Sequence, residues 1–512
     1  MPNFPHPYNV GNRMPFFPKL RSPVPLLVVA LAVTLTGCPE PESETTSSGT
    51  PLAGVELRLL VVDDPAIASA AKQLRGEWET QTRSSPDQAG SNLEVRQMTT
   101  EELLGAEQIE TDTIICPSCL LGELARRKLA KPLPKELMQS GEKQSDEEEP
   151  DEKWSGIFEL PKLREVAWAD RIQAIPFGSP VFVCYYRRDL LEKLGRKPPG
   201  TWAEYQRLAG LLADREVLGD AAPDGDTPWC GTIEPLAPGW AGLVLLARAA
   251  PYAKHRDFYS ALFDTDTMEP LIAGPPFVRA LEELVAVAKL GPADALKQDP
   301  ATARAAFWQG RCGMALTWPT TTAEIDKAPD AIEVGFAELP GSEHVYHIGK
   351  KAWETRADDA VGHVPLLGIA GRLGVVSDKS QHPETAFHLL FWLSGRKFGT
   401  DVCSVSPATT LFRRSQMKDL PSWVEKPISV APAEEYAELT QETFRRQQWV
   451  FALRIPGRSE YLAALDEAVA AAVRGEKSPA DALQDAADRW RQITERLGTE
   501  PQKAAYLQSL GL

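Results

Sequence analysis

The sequence predicts an α/β fold, and three observations carry that prediction. Val55–Val62 (VELRLLVV) is apolar almost throughout, as a strand covered on both faces must be. Strand-like and helix-like stretches then alternate through Leu93–Met98, Thr100–Leu104 and Thr113–Ile115, at the spacing of right-handed βαβ units. Helix boundaries are written in turn chemistry: Thr201 with Glu204 three residues on makes a capping box, and Gly195 and Gly291 end helical runs.

The N-terminus reads as an export signal. Lys19 and Arg21 precede a short apolar run, Val24–Leu35, which is too short to span a bilayer as a stable helix. Small residues then lead to Cys38, the pattern of a lipoprotein signal peptide over 1–37 with Cys38 as the acylated residue and either Met1 or Met14 as the start. Residues 38–54, rich in Pro, Glu, Ser and Thr, read as a flexible tether. The expected location is therefore the periplasmic or extracytoplasmic face of a membrane, held there by lipid.

The 512 residues suffice for two or three domain-sized units. The formal charge is −16, and the first 37 residues carry three cations and no acid, so the remainder is more acidic still. That balance argues against nucleic-acid binding, which needs clustered cations. Six cysteines remain besides Cys38. Cys116-Pro117-Ser118-Cys119 holds the one close pair, read as a local disulfide or as two plain buried thiols, with redox chemistry the lesser alternative. No second CxxC pair or nearby His completes a metal site.

Taken in order, Asp63-Asp64-Pro65 ends the first strand and starts an amphipathic helix through Trp78. Asp63 and Cys116–Ser118 then fall at carboxyl ends of strands, where open α/β sheets bind ligands. Residues 139–153 hold seven acids and no large apolar side chain, the signature of a disordered surface insertion. Ile175–Phe177 is strand-like; Gly178-Ser179-Pro180 leads into the β-branched and aromatic run VFVCYY, and a short helix follows. Glu234-Pro235 and Gly239-Trp240 precede an apolar helix; Gly310 stops another helix before a strand that ends at Trp318. His344-x-x-His347 sits in a Gly- and Glu-containing loop, and two histidines alone are more often solvated than metal-bound. Ser478-Pro479-Ala480-Asp481 caps a last long helix.

The order of these pieces resembles the extracellular solute-binding proteins of ABC importers, in the branch with sugar and maltodextrin receptors. The matching residues are Pro176-Phe177-Gly178, Tyr185-Tyr186, Asp189-Leu190-Leu191, Leu194-Gly195 and Pro199-Gly200-Thr201-Trp202-Ala203-Glu204. Arg187 stands where the family pattern has Asn. Further matches are Ala305–Pro319, Pro365–Val376, His382-Pro383-Glu384, Ser406-Pro407-Ala408 and Gly475–Leu483, so the resemblance covers roughly residues 55–500.

The resemblance implies a type II periplasmic-binding-protein-like fold: two lobes, each a mainly parallel sheet flanked by helices, joined by hinge crossings. It divides the chain into lobe 1, 55–173 with 316–368, and lobe 2, 176–312 with 372–505. It implies no enzyme activity and no cofactor, a sugar or polyol as ligand, and separate permease and ATPase subunits as partners. A sugar offers flat C–H faces for aromatic stacking and a rim of hydroxyls for hydrogen bonds. Trp318 and Trp240 are the expected stacking residues. Tyr461 and Arg458 stand near a loop-to-helix entry, and Phe177 and Ser179 near a crossing. Glu234, Asp63 and Asp64 are the acids placed for hydroxyls, and Ser118 lies on a loop facing the ligand. Two alternatives stand beside this reading: a receptor feeding a membrane sensor, and a thiol oxidoreductase using Cys116 and Cys119.

Overall fold

The computed structural model describes residues 52–139, 154–223, 225–323, 325, 332–357 and 360–512. The expected signal peptide, Cys38, most of the expected tether and nearly all of the expected acidic insertion lie outside the described residues. Nine strands make the two principal sheets: β1 (Glu56–Val62), β2 (Asn92–Met98), β3 (Thr113–Pro117), β4 (Ile175–Pro176), β5 (Val183–Arg187), β6 (Cys230–Ile233), β7 (Cys312–Thr317), β8 (Val334–Glu338) and β9 (Arg372–Val376). The helices that frame them are α1 (Pro65–Gln73), α2 (Trp202–Ala213), α3 (Ala241–Ala253), α4 (Pro275–Ala288), α5 (Pro300–Trp308), α6 (Pro383–Ser394), α7 (Val430–Thr443), α8 (Arg458–Val473) and α9 (Pro479–Leu497).

The first sheet has the order β2-β1-β3-β9-β4 and the second β8-β5-β7-β6. Parallel pairing holds β2-β1-β3, with Leu59 opposite Val95 and Leu60 opposite Ile114. β9, which returns from the second sheet, runs antiparallel to β3, and β4, by which the chain leaves, runs antiparallel to β9. In the second sheet β6 and β7 are parallel, and β5 runs antiparallel to both β7 and β8.

Because side chains alternate across a strand, β5 serves two cores at once. Val183 and Tyr185 face one, which continues into the first lobe. Cys184 and Tyr186 face the other, packed by α2, α3, α4, α8 and α9. Trp490 anchors that second core, fully buried and stacked on Phe263 at 4.9 Å. Burying a large aromatic side chain is worth on the order of 2–3 kcal/mol, so cores of this size dominate the stability.

Sheet membership moves two segments from the lobes the sequence suggested. Val334–Glu338, expected in lobe 1, pairs with β5 in the second sheet. Phe336 packs on Tyr185 at 4.8 Å and on Tyr436 of α7 at 5.4 Å, which fixes it there. Arg372–Val376, expected in lobe 2, lies between β3 and β4 in the first sheet, with Leu390 of α6 behind Gly374. The helix expected from Pro65 through Trp78 is broken at Leu74, where the backbone turns to ψ 1°, into α1 and a second short helix from Arg75 to Gln81. His344–His347 is a hairpin strand paired with Ala352–Thr355. Among the described residues no helix is long and apolar enough to cross a membrane.

Candidate functional site

Two crossing segments join the sheets side by side. After β4 the chain runs through Phe177 and Gly178 to β5, and it returns through Gly368–Gly371 to β9. Phe177 N donates to Arg372 O at 2.9 Å, and Arg372 N donates to Gly178 O at 2.9 Å, so the crossings are stitched together. Gly178 and Gly371 hold φ +102° and +112°, a region that L side chains rarely enter. A Cβ at Gly371 would collide with Ser179.

Against these crossings lies a cavity of about 370 Å³. One side comes from the first lobe: Ser118 and Cys119 after β3, Arg372 on β9, and Pro407-Ala408. The other comes from the second lobe: Trp240 before α3, Asp299 and Arg304 at α5, Trp318 after β7, and Arg458 at the start of α8. A larger groove of about 570 Å³ runs between α8 and α9, but it is floored by alanines of a single lobe and gathers neither tryptophan.

Four residues expected from the sequence thus line one cavity: Trp318, Trp240 and Arg458 on one side and Ser118 on the other. The two indoles lie 5.6 Å apart at 46°, and Phe182 backs them at 6.3 Å from Trp240 and 5.9 Å from Trp318. Trp318 donates its Nε1–H to Pro407 O at 3.0 Å, a bond that joins the two sides of the wall. Ser118 donates Oγ–H to Ala370 O at 3.1 Å. Behind it, the buried Glu165 carboxyl is pushed up by burial and held back by Ser179, Ser118 and Arg454.

The other expected residues go elsewhere, for identifiable reasons. Tyr461 is fully buried, its ring against Phe263 and Trp490 and its hydroxyl 2.8 Å from Thr494 Oγ1. Glu234 is buried in an ion pair with Arg248, whose guanidinium lies 3.8 Å over the Trp202 ring. Burial raises the Glu234 carboxyl and Arg248 opposes that shift. Asp63, at φ 51°, accepts from Thr100 N at 3.0 Å and Thr100 Oγ1 at 2.6 Å. Asp64 caps α1 through Ile67 N at 3.1 Å, and accepts from Arg372 Nε at 2.8 Å and Ser406 Oγ at 2.5 Å. It therefore acts on the cavity through Arg372 and Ser406, which it holds, and not as a lining residue. Phe177 is fully buried in the core, and Ser179 is wedged against Gly371.

Three lining residues were missed. Arg304 hides inside a helical pattern, and Asp299 is the cap of that same helix, accepting from Thr302 N at 2.7 Å. Arg372 is a lone cation in an apolar strand run, PLLGIAGRLGVV, and that oddity was the available signal. The six described cysteines are free thiols, so the 116–119 disulfide is not made. Cys116 is fully buried and burial raises its thiol, the reverse of what a reactive thiolate needs. Among the described residues no group of three or more metal-ligating side chains converges.

Comparison with known proteins follows the same lines. A family model described as bacterial extracellular solute-binding protein matches residues 111–397. No curated protein sequence matches the chain. Among solved structures, the sugar-binding protein MalE from the phytopathogen Xanthomonas citri is similar at TM-score 0.61 and 18% identity, over 86% of this chain and 98% of that one. Maltose-bound MalE3 of T. maritima is similar at TM-score 0.59 and 18% identity, over 86% and 100%. An ABC transporter solute-binding protein from Agrobacterium radiobacter in complex with ribitol is similar at TM-score 0.58 and 18% identity, over 87% and 100%.

Proposed function

The chain belongs to the bacterial extracellular solute-binding proteins, and from that premise we propose that it captures a carbohydrate or polyol in the inter-lobe cavity and hands it to an ABC importer. The observation that carries this reading is the pairing of two indoles, Trp240 and Trp318, with polar groups from both lobes around one cavity of about 370 Å³. Indole faces cover the C–H surfaces of a sugar ring, and fixed polar groups select its hydroxyls. A site whose polar groups would be left unpaired by an analogue lacking one hydroxyl rejects that analogue.

Closure supplies the signal to the transporter. The lobes bend about the stitched crossings, and a ligand that touches both walls favours the shut form by its differential affinity. The solved relatives with ribitol and maltose support the ligand class. A thermal-shift screen over sugars and polyols tests it. Ligand at 100 times its Kd adds about 2.7 kcal/mol of stability, so a hit raises Tm by several degrees. A flat response across every sugar and polyol overturns the carbohydrate assignment. Trp318→Ala should abolish the shift given by any hit.

The same proposal places the protein on a membrane through lipid on Cys38, since a short apolar run and small residues precede that thiol. Metabolic labelling with palmitate should mark the wild-type chain and leave Cys38→Ala unlabelled.

A further inference from the structure

We propose that the solute is an anionic carbohydrate, its acidic group held by Arg304 and Arg458 while Trp240 and Trp318 cover its ring; this rests on the carbohydrate reading above. Three arginines line the cavity, and they are not equivalent. Arg372 is neutralised inside the protein by Asp64, at 2.8 Å. Arg304 and Arg458 have no ion pair among the described residues.

Arg304 is 5% exposed, so its guanidinium has lost most of its water. Its Nη1 donates to Trp318 O at 2.9 Å and to Thr317 Oγ1 at 3.2 Å, both uncharged acceptors. Its Nε, and that of Arg458, are buried with no hydrogen-bond partner in the described protein. A desolvated cation is costly to hold unless a counter-charge meets it.

The surrounding acids do not meet it. Glu425 and Asp466 act on Arg304 and Arg458 through space. Their oxygens are taken by other donors: Tyr185 Oη, Trp308 Nε1 and Thr320 N on Glu425, and Gly239 N and Gly242 N on Asp466. Asp299, the carboxylate on the wall, accepts from Thr302 N and Oγ1 at the head of α5. The lining thus sets two cations that make no direct ion pair among the described residues against one engaged acid, on a chain whose formal charge is −16. The field is reinforced by helix ends. Asp299, Pro300 and Ala301 bring the N-terminus of α5 to the cavity, and α8 begins there at Arg458 without a side-chain cap. A carboxylate or phosphate oxygen is what such a wall stabilises.

Isothermal titration of the full chain in detergent, at fixed ionic strength, with matched pairs decides the matter: glucose against glucuronate, galactose against galacturonate, and glucose against glucose 6-phosphate. At least one acidic member should bind about tenfold or more tightly than its neutral parent, the scale of one charge-assisted hydrogen bond. The uronate and phosphate arms identify which acidic group the wall accepts. Raising the salt should weaken the acidic ligand and spare the neutral one. Arg458→Gln should remove most of that preference, lowering the acidic ligand's affinity by a larger factor than its neutral parent's. Arg304→Gln should do the same if it folds; Arg458→Gln and the salt series decide alone if it does not. Neutral sugars binding as tightly as their acids, or a preference unchanged in Arg458→Gln, overturns the inference and leaves the carbohydrate reading standing. No binding of either member of any pair overturns the inference, and the carbohydrate reading falls with it only where the wider sugar and polyol screen is flat as well.

Discussion

Asp64 shows how much one side chain can decide without touching a solute. Its carboxylate ends β1, caps α1 and pairs with Arg372, which is itself buried on β9. Asp64→Ala strands that guanidinium, and breaking a buried pair in this way costs about 3–5 kcal/mol. Chemical denaturation should show the loss, together with weaker solute binding, since Arg372 lines the cavity. Glu425 makes a different prediction. Its carboxyl is raised, first by burial, with Arg304, Trp308 and Thr320 opposing. A carboxyl raised on folding binds more protons in the native state than in the unfolded one. Stability from this group is therefore present at low pH and declines as pH climbs from the ordinary carboxylate range through the raised value. Tm measured across pH 4 to 8 should fall more gently in Glu425→Gln than in wild type. At this scale the sequence was legible in part. Trp318 and Trp240 stand at a strand end and a helix entry, positions that local pattern marks. Arg304 carries no such mark, because a helix of alanines accepts an arginine anywhere and only tertiary packing says which face is inward. Tyr461 was misread for the same reason. Arg458, at the first position of α8, reaches the cavity, whereas Tyr461, one turn on, is already inside the core.

The elements came through more clearly than their partners. The capping box at Thr201 and Glu204 is present, with Glu204 N donating to Thr201 Oγ1 at 3.3 Å and Thr201 N donating to Glu204 Oε2 at 3.1 Å. Thr201→Ala should cost about 1 kcal/mol, read by chemical denaturation, with little change in solute affinity. β8 carries no motif that the sequence marks, β9 falls in the matching segment Pro365–Val376, and each pairs in the sheet of the lobe opposite to the one expected for its residues. Strand patterns record which face is buried; they do not record which neighbour buries it. The aromatic set of Tyr185, Phe336 and Tyr436 settles β8, and no local pattern joins residues so far apart. The crossings give the sharpest element-scale test. Gly371→Ala places a Cβ at φ +112° and against Ser179. Left-handed backbone alone costs about 1–2 kcal/mol for a non-glycine residue. The variant should lose at least that much stability and bind solute more weakly.

Over the whole molecule, the antiparallel entry of β9 between β3 and β4 means the first sheet is assembled from both sides of the second. All strands of the second sheet lie within residues 183–338, yet its core is closed by α8 and α9, from Arg458 onward. A fragment of residues 176–340 should accordingly remain aggregation-prone and give no cooperative thermal transition, while the full chain melts in one. The arrangement also sets a timetable for synthesis. A ribosome releases the N-terminal strands hundreds of residues before the segments that must lie beside or over them, so neither hydrophobic interior can seal until translation is nearly finished. Such a polypeptide stays threadable for most of its birth, and whatever passes it through a narrow pore need not first pull apart a finished structure.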